Sequence, residues 1–193
     1  VESLGLKHVV ITSVDRDELK DGGASIFSET VRLIRARMPG TTIEILIPDF
    51  KGEEESFKII LQNPPDILNH NLETVERLYH GVRPQAKYER SLKLIRWFKD
   101  NGLRTKSGIM VGIGETREEV TELIGDLYKN GCDIMTIGQY LQPTKNHLPV
   151  HRYVTLDEFK YYKEYGLQLG LKAVESSPLV RSSYHADKHA ELV

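Results

Sequence analysis

The stretch TKSGIMVGIGETREE, residues 105–119, decides how the rest of the chain is read. Residues 105–111 have the small and apolar composition of a buried strand, and Gly112 and Gly114 stand where that strand would end. Glycine at such a point lets a ligand approach the backbone closely. Thr116 followed by Glu119 has the spacing of a capping box, which fixes a helix start and turns its free N–H groups back toward the strand end. A ligand site at the carboxyl edge of a parallel sheet is the natural expectation.

A dinucleotide fingerprint needs a third glycine where Arg117 stands, so that reading fails. What remains, Gly108-x-Met110-x-Gly112-x-x-Glu115, resembles the GxIxGxxE element of radical S-adenosylmethionine (SAM) enzymes. A buried strand with a glycine turn fits the same residues.

Outward from this stretch, strand and helix alternate. Strands are expected at residues 7–14, 42–47, 66–69, 133–140 and 171–174, with the central one already described. Helices are expected at 24–37, through Ile26, Phe27, Val31 and Ile34, and at 53–61, 88–101, 116–129 and 156–169. Asn71 is placed to cap a further helix running toward Tyr79. Residues 141–154 carry prolines and no period, as a loop over a site or surface would.

This alternation at crossover spacing predicts an α/β class with a largely parallel sheet whose strands are covered on both faces. Eight units are not present, so a partial TIM-like barrel that lacks its first strand fits better than a full one. Residues 1–193 read as a single domain. Its opening, VESLGLKHVV, looks like a helix end and a strand, as though the chain began inside a larger protein.

Lys and Arg number 26 against 28 Asp and Glu, a formal charge of −2, which argues against a nucleic-acid surface. No apolar run approaches the length of a membrane span. Cys132 is the single cysteine, so the chain offers neither an internal disulfide nor a thiolate-ligated cluster of its own.

Polar residues gather at the expected carboxyl ends of the strands: Thr12 and Ser13, Asp49, Asn69 to Asn71, Glu115 and Gln139. Ligands of parallel α/β folds bind outside those ends. Gly22 and Gly23 expose backbone suited to an amino or carboxylate group. Asn69, Asn71 and Glu73 suit ribose hydroxyls or an amino-acid moiety.

Other patterns fail. Asp15, Asp17 and Asp21 suggest a calcium loop, but Lys20 and Ile26 occupy its required glycine and glutamate positions. His185 and His189 are four apart without an HExxH pattern, and solvation is the simpler reading. There is no GxSxG elbow or P-loop.

The segments VVITSVDRDELKDGGA, ILIPDFKG, NHNLETV, TKSGIMVGIGET, GQYLQPT, HLPVHRYV and PLVRSSYHAD together resemble the lipoyl synthase family of radical SAM enzymes over nearly the whole chain. The resemblance implies a partial barrel of six βα units, SAM and two [4Fe-4S] clusters. One cluster, held by a CxxxCxxC loop, cleaves SAM, and an auxiliary cluster supplies sulfur. Two sulfur atoms enter a protein-bound octanoyl chain at C6 and C8.

Carried onto this sequence, the family pattern implies SAM contacts at Gly22, Gly23, Asn69, Asn71, Glu73, Gly112, Glu115 and Gln139. The serine that ligates the auxiliary cluster maps to Ser182, with Ser183 as the second choice; no catalytic side chain is assigned.

The chain departs from the family in lacking all six cluster cysteines and the first barrel strand, together with the extension before it. The fragment by itself is therefore expected to hold no cluster and to be inactive as a sulfurtransferase.

Implied partners are an octanoylated lipoyl carrier, either a glycine cleavage H protein or a dehydrogenase E2 lipoyl domain, and an electron donor such as flavodoxin or ferredoxin. His147, His151, Arg152 and Arg181 offer contacts for the acidic carrier. The implied compartment is bacterial cytoplasm, or an organelle if a transit segment has been lost. Two alternatives stand: a non-catalytic module that only binds the carrier or SAM, and a barrel aldolase or isomerase with Lys106 as Schiff base.

Overall fold

A computed structural model describes residues 1–190. One sheet holds six parallel strands in sequential order: β1 His8–Thr12, β2 Thr42–Leu46, β3 Ile67–Asn69, β4 Arg104–Val111, β5 Ile134–Gln139 and β6 Ala173–Ser176. The crossovers are α1 Ala24–Arg37, α2 Glu54–Gln62, α3 Tyr79–Val82 with α4 Tyr88–Asp100, α5 Arg117–Lys129 and α6 Leu156–Leu169; α7 Ala186–Ala190 follows β6. Sequential order with helical returns is the winding of a partial barrel, the α/β architecture expected from the sequence.

Strand residues alternate between two faces. On one, Ile43, Ile45, Leu68, Ile109, Met135 and Val174 share a core with Phe27 of α1, Phe57 of α2, Phe98 of α4, Leu127 of α5 and Phe159 of α6. The other face is buried but polar, a departure from the expectation of apolar residues on both sides. There Lys106 Nζ donates to Glu44 Oε2 at 3.0 Å, and Asn69 Nδ2 donates to Glu44 Oε1 at 2.8 Å. Charges survive inside because each has a partner.

Both later helices begin in capping boxes, Thr116 with Glu119 at α5 and Thr155 with Glu158 at α6. Other boundaries shift for local reasons. The first strand stops at Thr12, short of Ser13 and Val14. At the end of α6, Gly170 (φ 116°) turns the chain so that Leu171 N–H reaches Gly166 O at 3.1 Å. That helix-ending turn consumes Leu171, and β6 starts at Ala173. Ile26 of α1 points outward and is exposed rather than facing the core.

Asn71 caps no helix. Residues 70–75 instead run beside β4, where Glu73 N–H donates to Gly108 O at 3.0 Å and Glu73 O accepts from Met110 N–H at 2.9 Å. Glu73 takes φ 67° to make this bridge, and helix resumes only in the 3-10 turn Glu76–Leu78 ahead of α3. No helix among the described residues is long and apolar enough to cross a membrane.

Candidate functional site

A cavity of about 160 Å³ opens between β4, β5, the loop after β3 and the segment after β6. Its walls include Asn71, Glu73, Gly108, Thr136, Gly138 and Ser182. Its floor is bare backbone, because a Cβ at Gly108 would lie 2.5 Å from Thr136 Oγ1 and 2.9 Å from Asn71 Oδ1. The tail reaches this point because Ser177 N–H donates to Ile137 O at 3.1 Å and Pro178 O accepts from Gln139 N–H at 3.2 Å. Val180 O then occupies the space that a Cβ at Gly138 would need.

Asn71 Nδ2 donates to Glu73 Oε1 at 3.2 Å, while its Oδ1 is buried without a hydrogen-bond partner among the described residues. Burial pushes the Glu73 carboxyl up from the ordinary glutamate range, against an opposing pull from the Arg83 guanidinium. An orphaned acceptor is costly unless a ligand or water satisfies it. The orphaned amide oxygen, the adjacent carboxyl and the glycine floor fit the hydroxyl-bearing, flat surface of a nucleoside such as the adenosyl part of SAM.

The other residues singled out in the sequence lie elsewhere. Gly22 (φ 61°) and Gly23 (φ 89°) form the turn before α1, tied by Asp21, whose carboxylate accepts from Gly23 N–H at 3.0 Å and Ser25 N–H at 2.8 Å. Gly22 borders a separate groove, beside the ring of Phe50. Asn69 lies within the buried Glu44 and Lys106 network, not on the cavity wall.

Glu115 folds back on its own loop, where its carboxylate accepts from Gly112 N–H at 2.6 Å, Ile113 N–H at 2.9 Å and Gly114 N–H at 3.1 Å. The backbone nest at the end of β4 is thereby filled from within. Gln139 works on the loop 141–154: its Nε2 donates to Arg152 O at 3.1 Å and its Oε1 accepts from Val154 N–H at 2.9 Å. Gly112 O accepts from His151 N–H at 2.9 Å, so that loop is strapped across the ends of β4 and β5.

Of the predicted set, the structure brings Asn71, Glu73 and Ser182 into one cavity. Ser183 is exposed and does not line it. Lys106 also stays outside the cavity; its fully buried ammonium pairs with Glu44, and burial lowers its pKa. His189 is buried, and neither ring nitrogen has a partner among the described residues, contrary to the solvated tail expected of it.

Among the described residues no group of three or more His, Cys, Asp and Glu side chains could hold a metal. Cys132 sits two residues before β5, the strand end opposite the cavity, where its Sγ donates to Ile134 O at 3.2 Å and burial raises its pKa to about 12. These residues do not fit a thiolate-ligated cluster.

Two residues that shape the cavity or its loop escaped the sequence. Thr136 and Arg83 stand on no recognisable pattern, since one owes its place to β4 and β5 register and the other to a loop twelve residues upstream.

The sequence of residues 1–127 matches the family model described as the Radical SAM superfamily. A curated lipoyl synthase from Rubrobacter xylanophilus is 56% identical over 193 residues, covering 99% of this chain and 60% of that protein. A mitochondrial lipoyl synthase from Nematostella vectensis is 53% identical over 190 residues, with 98% and 65% covered. The chain thus spans about three-fifths to two-thirds of the length of these relatives. The crystal structure of Streptococcus suis SuiB superposes with a TM-score of 0.67 at 13% identity, covering 93% of this chain and 40% of that one. Fold and family model agree with the cavity at the carboxyl ends of the strands: the chain belongs to the radical SAM superfamily.

Proposed function

We propose that this chain is the SAM-binding sheet and serine-bearing tail of a lipoyl synthase, a sulfurtransferase that completes the two sulfur insertions at C6 and C8 of a carrier-bound octanoyl group. The observation that carries the reading is the shared cavity of Asn71, Glu73 and Ser182 above the Gly108 floor. Similarity to curated lipoyl synthases over 99% of the chain supports it.

In this reading Asn71 Oδ1 would accept a hydrogen bond from the adenosyl moiety, Glu73 would receive a ribose hydroxyl, and Gly108 would leave room for the ring. When bound, SAM would supply radical chemistry, its C5′–S bond being cleaved by one electron from a cluster whose thiolates lie outside this chain, with methionine leaving and hydrogen being taken from the octanoyl chain. The protein's part is to orient the cofactor and to exclude water from the cavity. Gly22 and Gly23 would serve the methionyl end, while Glu115 and Gln139 act by holding the loops that enclose the site.

Ser182 is the oxygen ligand proposed for an auxiliary [4Fe-4S] cluster. The thiolates for that cluster and for a second, SAM-cleaving one are not among the residues of this chain, so the chain alone is proposed to be inactive. The octanoylated substrate would be an H protein or E2 lipoyl domain, docking on the exposed loop that carries His147 and His151, with flavodoxin or ferredoxin as electron donor in the cytoplasm.

A chimera tests the reading. This chain replaces the corresponding residues of the Rubrobacter xylanophilus relative, and the product is reconstituted with iron and sulfide. Sulfur insertion into an octanoylated carrier is expected, and its loss in Ser182→Ala with SAM cleavage retained. A well-folded chimera that cleaves no SAM would overturn the proposal.

A further inference from the structure

The loop that carries Asn71 and Glu73 is held at its two ends by different means. At one end the His70 ring is fixed between Ile47 O and Ser91 Oγ, each at 2.9 Å. At the other end Glu73 is bridged to β4 and takes φ 67°, a left-handed conformation that strains a residue with a side chain. Between them, Arg83 Nη1 donates to Asn71 O at 3.0 Å and to Leu72 O at 3.4 Å.

Arg83 is itself well placed to serve as an anchor. It terminates α3, where its N–H donates to Tyr79 O at 2.7 Å, and its guanidinium carbon lies 5.7 Å from the centre of the Tyr79 ring. That ring is in turn braced edge-on by Tyr88 at 5.5 Å. Neighbouring Arg90, by contrast, is taken up by Asp49 at 2.7 Å.

We propose that Arg83 is the positioning residue of the candidate cofactor site: its guanidinium holds the backbone of Asn71 and Leu72 just ahead of the left-handed turn at Glu73, so that both the Asn71 and Glu73 side chains face the cavity ready for a nucleoside. This role rests on the SAM reading only for the identity of the ligand; the anchoring of the loop does not depend on it. The positive charge acts on Glu73 in the direction opposite to burial, which favours its neutral form.

The test uses the whole chain, with carbon-13 titration of Glu73, amide hydrogen exchange, and calorimetric titration with SAM. In Arg83→Met, Glu73 is expected to titrate at higher pH than in the unaltered chain. The amides of Glu73 and Thr74 should exchange about tenfold faster while those of β5 do not, and SAM affinity should fall about tenfold. Arg83→Lys keeps the charge but loses the flat guanidinium that lies over the Tyr79 ring and sets the reach to both carbonyls. It should restore the Glu73 titration and leave the faster exchange, and it carries the test if the methionine variant does not fold.

Unchanged Glu73 titration together with unchanged exchange in the folded variants would overturn the proposal. If the unaltered chain binds no SAM while both of those responses appear, the cofactor reading fails and the positioning role stands.

Discussion

Lys106 and Glu44 meet at 3.0 Å on the polar face of the sheet, and neither side chain has any exposure to solvent. The two come from strands separated by β3, whose Asn69 bonds the same carboxylate. Burial depresses the lysine pKa and Glu44 opposes that shift, so the ammonium depends on its partner.

Removing one member should therefore hurt more than removing both charges. Lys106→Met strands a buried carboxylate and is expected to lower unfolding free energy by about 3–5 kcal/mol in urea denaturation. Adding Glu44→Gln, which keeps an acceptor for Asn69, should recover most of the loss. A double variant no more stable than Lys106→Met would show that the pair is not coupled.

The bare floor of the cavity makes a second prediction. A methyl at Gly108 has no room between Thr136 Oγ1 and Asn71 Oδ1, at 2.5 and 2.9 Å from the Cβ position. Gly108→Ala should cost about 1–3 kcal/mol of stability through overpacking and weaken SAM binding at least about tenfold. Thr136→Ala in the same chain relieves the closer contact. Calorimetry should find stability partly restored while affinity, which also needs Asn71 undisturbed, stays low.

What the sequence made legible was local. Thr116 and Glu119 declare the start of α5 within a single turn, and the six strands declare themselves by composition and crossover spacing. The pairing of Lys106 with Glu44 spans 62 residues, and periodicity says which face each occupies but not which partner it meets. Asn71 followed by a helical pattern looks like a cap; the competing bridge between Glu73 and Ile109 exists only once β4 lies beside that loop. Ser182 stood out only through the resemblance of the tail to the family pattern, and its neighbours Thr136 and Gly138 depend on the tail folding back over β5.

The α5 cap ties stability to the site. Glu119 accepts from Thr116 N–H at 2.8 Å and also from Arg77 Nε at 2.6 Å, while Arg77 Nη2 donates to Gly114 O at 2.9 Å. Thr116→Ala loses only the cap and should cost about 1 kcal/mol. Arg77→Gln, at an exposed pair screened by solvent, should cost little stability. Its measurable effect should instead be faster amide exchange at residues 112–114, since Gly114 O loses a partner. Equal exchange in both proteins would remove Arg77 from the account of this loop.

Acid sensitivity should come in part from His70. Its ring is buried between Ile47 O and Ser91 Oγ, and burial lowers its pKa to about 4. The unfolded chain binds this proton near pH 6.5, so between pH 6.5 and 4 it holds more protons at this site than the native protein does. Stability from keeping His70 neutral is thus complete above about pH 6.5 and is lost as pH falls toward 4. The loss is on the order of 2–3 kcal/mol. His70→Leu leaves Ile47 O and Ser91 Oγ unpaired and lowers stability at every pH, but the difference from the unaltered chain should shrink as the buffer is taken from pH 7.5 to 4.5. Urea midpoints for both proteins across that range are the measurement, and parallel curves would mean that the ring takes up its proton over the same pH range folded as unfolded.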